Sequence, residues 1–127
     1  MSKLHLTAKL GLIDGKYHVD LSLIEFEEEN VTIIYSPALD LSGYGYNPDE
    51  AKSSFSEALQ EFFRYTSSKN TLYEVLRNLG WLVNESKKTP KFNPPKDSEL
   101  IAINPTYNDI VNNKSYKVSR EDVEFAF

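Results

Sequence analysis

The stretch KLHLTAKLGLIDGKYHVDLSLIEF, residues 3–26, decides the fold. Leu4, Leu6, Ala8, Leu10 and Leu12 alternate with other residues, the period of a strand with one buried face. Asp14-Gly15 reads as a two-residue hairpin turn. Folding the chain back there pairs Ile13 with Lys16, Leu12 with Tyr17, Leu10 with Val19, Ala8 with Leu21 and Leu6 with Leu23. The opposite face pairs Lys9 with Asp20 and Thr7 with Ser22. One face is apolar and the other polar, as an antiparallel sheet covered on one side requires.

At Leu23-Ile24 the phase changes, and Ile24 and Phe26 fall on the face that had been polar. EFEEEN makes a second, acidic turn and VTIIYS returns as a third strand, with Phe26 against Val31 and Ile24 against Ile33. Two outcomes are open. A bulge near Leu23-Ile24 restores the core phase, or Ile24, Phe26 and Ile33 form an apolar outer patch, a candidate interface.

Two helices follow. Asn47 is an N-cap, Pro48 suits the first helical position and Glu50 completes a variant capping box. Ala51, Phe55, Ala58, Leu59 and Phe62 form the stripe that faces the sheet. Thr71 with Glu74 repeats the box, Leu72, Val75, Leu76 and Leu79 form a second stripe, and Gly80 ends the helix with Trp81 folded back on Leu76. The predicted fold class is α+β: an antiparallel sheet, a hairpin plus a third strand, covered on one face by one or two helices. Residues 1–85 form this domain. Residues 86–96, SKKTPKFNPPK, read as a Lys/Pro-rich linker or arm. Residues 97–127 form a C-terminal extension in which ELIAI and DVEFAF are short strands around a helical turn, PTYNDIVNN. Val123, Phe125 and Phe127 share a face, so Phe125 and Phe127 join the candidate interface.

A chain of 127 residues fits one domain. No apolar run approaches the length of a membrane span, so no membrane association is expected. The absence of cysteine removes disulfides and thiol chemistry and favours a cytoplasmic location. Residues 1–65 carry 5 basic against 11 acidic residues, and residues 66–127 carry 9 against 8. An acidic front half is a poor general nucleic-acid surface and suits a basic partner. Phe92 among the lysines of 87–96 offers stacking to nucleic acid, although a solvated linker explains that segment as well.

Gly43 and Gly45 in SGYGYNPDEA raise the question of a phosphate loop. Pro48, Asp49 and Glu50 stand where such a loop needs a lysine and a hydroxyl, so the glycines read as a sharp corner with positive φ. His5 and His18 lie at distant ladder positions. Asp20, Glu25, Asp40 and Asp49 are the carboxylates that a two-metal nuclease would draw on. No metal, cofactor or catalytic residue is expected from this pattern.

The stretch YSPALDLSGYGYNPDEAKSSFSEALQEFFRY resembles the signature of HicB-like antitoxins, at Pro37, Leu39, Gly43, Gly45, Asn47, Glu50 and Ala51. The resemblance covers about residues 15–95. It implies a partial RNase H-like topology without that nuclease's active site, homo-oligomerisation, and a small basic HicA-type RNase toxin as partner. Residues 97–127 show no pair of amphipathic helices, so specific operator DNA binding is not expected. An orphan member that self-associates is the alternative, and a metal-dependent nuclease comes last.

Overall fold

The computed structural model describes residues 6–86 and 88–127; Leu4, His5 and Lys87 lie outside them. In chain order the elements are β1 (Ala8–Ile13), β2 (Lys16–Glu28), β3 (Val31–Ser36), β4 (Leu41–Gly45), α1 (Pro48–Ser68), α2 (Leu72–Asn78), β5 (Leu82–Asn84), β6 (Lys91–Asn93), α3 (Asp97–Ile103), α4 (Pro105–Asn113) and β7 (Tyr116–Ala126). Strands β1 to β4 and β7 make one antiparallel sheet, and β5 pairs with β6. The class is α+β, as the patterning predicts.

The first hairpin has the expected register, from Ala8 opposite Leu21 to Ile13 opposite Lys16. Asp14 and Gly15 both have positive φ, 52° and 75°. In the second hairpin Phe26 faces Ile33 and Ile24 faces Tyr35, two positions from the expected pairing. The turn is only Glu29-Asn30, with φ of 51° and 67°, and such a turn matches the strand twist better than a longer loop. A shift of two keeps every side chain on its predicted face.

β2 carries no bulge, because its register with β7 runs unbroken from Lys16–Ala126 to Phe26–Tyr116. Residues 16–21 pair with both β1 and β7, and residues 24–26 with both β3 and β7. β1 and β3 therefore share one edge of β2, end to end, and β7 takes the whole of the other.

The change of phase thus produces two cores. On the inner face Val19, Leu21, Leu23 and Ile34 pack under Ala51, Phe55, Leu59 and Phe63 of α1 and under Leu72 and Leu76 of α2. The α1 stripe centres on Phe63 rather than Phe62, because 51, 55, 59 and 63 keep a strict four-residue step. On the outer face Ile24, Phe26 and Tyr35 pack under Leu100, Tyr107 and Ile110 of α3 and α4. Ile24 is fully buried and Phe26 is 7% exposed. The expectation of an open patch is corrected: the chain's own helices cover Ile24 and Phe26, and Ile33 lies against the same cluster.

Residues 97–127 accordingly depart from the reading of a separate extension. ELIAI lies in helix α3, because its Leu100 is needed over the outer patch. α4 is the helix expected for PTYNDIVNN, and α3 makes it a helix pair that the periodicity did not reveal. DVEFAF is the end of an 11-residue strand, with Val123 opposite Val19 and Phe125 opposite Tyr17 on the inner face. Phe125 rests 5.5 Å from Phe63, and Phe127 stacks on Phe125 at 5.7 Å while staying half-exposed. The Lys/Pro stretch is not a plain linker either, since β6 buries Phe92 against Tyr73 at 5.6 Å and removes it from any stacking role.

Caps follow the sequence in part. Asn47 Oδ1 accepts from Glu50 N at 2.9 Å, and Glu50 Oε2 accepts from Tyr46 N at 3.0 Å. Thr71 makes no side-chain cap bond. Gly80 has φ +97°, Trp81 N donates to Leu76 O at 2.9 Å, and the buried indole Nε1 donates to Ala38 O at 2.8 Å.

Gly43 and Gly45 do not have positive φ, which corrects the reason given for them. A Cβ on Gly43 would lie 2.2 Å from Phe55 N, and one on Gly45 would lie 2.5 Å from Ala51 N. The glycines let α1 rest directly on β4. Gly43→Ala should cost about 3 kcal/mol or prevent folding, because the obstructing atoms are backbone. Gly11→Ala, whose Cβ meets nothing within 4 Å, should be neutral or slightly stabilising. Urea unfolding compares the two, and equal losses would refute the close-approach account.

Candidate functional site

The segment from Pro37 to Ala51 is pinned at each of its marked positions. Pro37 and Leu39 are buried, Leu39 N donates to Ser36 Oγ at 3.3 Å, and Trp81 holds the carbonyl of Ala38. Gly43 and Gly45 face α1, Asn47 and Glu50 cap it, and Ala51 is fully buried. These residues form a structural corner.

Alternation then puts Tyr44, between the glycines, outside, and Tyr46 follows directly after β4. Tyr44 is 57% exposed and Tyr46 is 84% exposed. Gly45 lies opposite Thr32, so this end of β4 lies beside the tip of the β2–β3 hairpin, with Glu27, Glu28 and Glu29. Asp49 and Glu50 occupy the first turn of α1 immediately after. The result is an exposed aromatic pair that in sequence immediately precedes Asp49 and Glu50. Sequence reasoning singled out the glycines and passed over the tyrosines. The signal was the alternation itself, since residues between two inward glycines on a strand must point outward.

The carboxylates considered for metal binding are held apart. Asp20 is on the outer face with the Arg120 guanidinium, whose Nε is 3.2 Å from Asp20 Oδ1. Glu25 lies opposite Ile34 and Lys117 on the inner face, and Asp49 is in α1. His18 Nδ1 is 3.2 Å from Glu124 Oε1. Among the described residues, no group of three His, Asp or Glu side chains is placed to hold a metal ion. Among them also, no helix is long and apolar enough to cross a membrane.

Asp40 does different work. It has φ +53° and accepts from the Tyr35 hydroxyl at 2.6 Å. Asn104 Nδ2 donates to the same hydroxyl at 2.7 Å, while Asn104 Oδ1 caps α4 by accepting from Tyr107 N at 3.0 Å. The Tyr107 hydroxyl donates to Asp97 Oδ1 at 2.5 Å. The Asn104–Tyr35 bond thus ties the α3–α4 pair to the sheet, while the Tyr107–Asp97 bond ties α4 to α3. A separate cleft of about 470 Å³, walled by Tyr17, Tyr73 and Phe127, lies between the first hairpin and the end of α1. The Oγ of Ser67, at the edge of this cleft, is buried without a partner among the described residues.

No protein-family model, curated protein or solved structure matches the chain.

Burial, followed by the bond to Asp40, pushes the Tyr35 hydroxyl well above its ordinary pKa near 10. Burial, followed by the bond to Asp97, does the same for Tyr107. A folded-state pKa above the unfolded value means that this stabilisation is complete below about pH 10 and is lost as the pH rises further, because the unfolded chain gives up its protons first. Thermal melts between about pH 8 and 11 should therefore fall steeply at the alkaline end. The double variant Tyr35→Phe, Tyr107→Phe should be less stable at neutral pH and should decline less steeply. Parallel curves for the two proteins would contradict this account.

Proposed function

We propose that this protein is a non-enzymatic protein-binding module of the HicB-like antitoxin kind, which neutralises a small basic HicA-type RNase in the cytoplasm. The observation that carries the reading is the exposure of Tyr44 and Tyr46 in the acidic front half of the chain, immediately before the acidic first turn of α1. Tyrosine supplies large contact area at low entropic cost and is enriched where binding energy concentrates. Carboxylates around it steer a basic partner and reject acidic ones. The close fit of Gly43 and Gly45 against α1, and the Asn47 cap, give the motif behind the resemblance a consistent physical role.

Self-association belongs to the same proposal, and operator DNA binding does not. The buried residues of α3 and α4, Leu100, Tyr107 and Ile110, pack on the chain's own sheet.

The test is titration of the folded protein with a small basic RNase encoded beside it, by calorimetry and by inhibition of RNA cleavage. The expected outcome is saturable binding that weakens as salt is raised. Tyr44→Ala with Tyr46→Ala should reduce affinity by about 10- to 100-fold without changing the unfolding transition. Binding unaffected by both substitutions and by salt would overturn the assignment of this surface. Absence of any inhibition would overturn the antitoxin reading.

A further inference from the structure

We infer that β7 is the strand through which two copies of this chain join, edge to edge and antiparallel, into one continuous sheet. The inference rests on the self-association proposed above and names the surface and register that produce it.

The argument begins with the direction of the backbone groups. Ser22 N donates to Thr7 O at 2.8 Å, toward the β1 side of β2. The N–H and C=O of one residue point to the same edge, and the edge alternates along a strand. Even-numbered residues of β2 therefore face β1 and β3, and odd-numbered residues face β7. Odd residues of β2 lie opposite odd residues of β7, as Leu21 lies opposite Glu121. It follows that Tyr116, Val118, Arg120, Asp122, Glu124 and Ala126 direct their backbone donors and acceptors away from β2, to an edge that no strand among the described residues occupies.

The other outer edges of the sheet are shorter and partly used. β4 has 5 residues and its Tyr44 N already donates to Ser54 Oγ at 3.0 Å. β1 has 6 residues and lies against β6. β7 has 11. A long unpaired edge is a template for another strand.

Charge identifies the occupant. The basic residues of β7, Lys117 and Arg120, lie in its first half, and the acidic residues Glu121, Asp122 and Glu124 lie in its second. An antiparallel copy of the same strand brings the basic half against the acidic half, whereas an in-register parallel copy sets like charges together. A two-fold axis perpendicular to the sheet must pass through one residue. Through Arg120, Glu121 or Asp122 it would set a charge against its own copy. Through Ser119 it sets Lys117 opposite Glu121 and Tyr116 opposite Asp122, each twice. Lys117 and Glu121 would then form a pair that is not backbone-bonded, where facing side chains approach most closely.

Sedimentation equilibrium of the full chain over micromolar to sub-millimolar concentration, with urea unfolding alongside, tests this. Wild type is expected to be a dimer. Val118→Pro removes a donor that points to the open edge and leaves the β2 ladder intact, as an edge proline can. Two such donors are lost per dimer, so dissociation should be favoured by about tenfold or more. Lys117→Glu should also weaken the dimer, and adding Glu121→Lys should restore it. This charge swap remains decisive where the proline variant fails to fold. A dimer unmoved by a folded Val118→Pro variant, or by Lys117→Glu, would overturn the β7 assignment while leaving self-association in place. A wild type that stays monomeric at every concentration would overturn both. Inhibition of the basic RNase is read separately from either.

Discussion

The structure depends on one constraint: β2 passes through Leu23 and Ile24 as a regular strand while its apolar residues change sides. A rigid strand with apolar side chains on its inner face at one end and its outer face at the other cannot bury both against a single layer. Two coverings are required. α1 and α2 supply one, and α3 and α4 supply the other over the apolar half of the outer face. The remainder of that outer face, around Lys9, His18, Asp20 and Arg120, stays open and polar, with Arg120 against Asp20 and His18 against Glu124.

This division explains why the last strand docks where it does. The two hairpins place β1 and β3 in tandem on one edge of β2, which leaves the other edge unpaired for its whole length. Backbone groups of a central strand must find partners. β7 meets that need, and Val123 and Phe125 add to the inner core as they arrive. The outer core is closed at the hairpin tip by Lys114, which lies 5.9 Å over the ring of Phe26 and 3.0 Å from Glu28. The C-terminal 30 or so residues are therefore structural members of the sheet domain, on the scale at which single domains are built.

The corner at Gly43–Ala51 links fold to surface. Close contact between β4 and α1 leaves no room for side chains on the glycines, so Tyr44 between them must point to the opposite face. Tyr46, the first residue after β4, is exposed as well. The proposed partner surface is thus a by-product of tight packing on the other side of the same strand.

The sequence by itself determined what depends on neighbours in the chain. The Asp14-Gly15 hairpin with its register, the Asn47 cap, the left-handed Gly80 and the return of Trp81 each follow from the chemistry of a few adjacent residues. Tertiary structure decided what depends on residues far apart. A short apolar run such as ELIAI has no periodicity that separates strand from helix, and it became α3 because Ile24 and Phe26 needed a cover. The glycines looked like a φ requirement, and only the position of Phe55 and Ala51 showed a steric one. The same holds for Tyr35, Asp40 and Asn104, whose network spans 69 positions of sequence. Local conformation is set by short-range sterics and hydrogen bonds. Which apolar surfaces meet is set by the need to bury all of them at once, and that is a property of the whole chain.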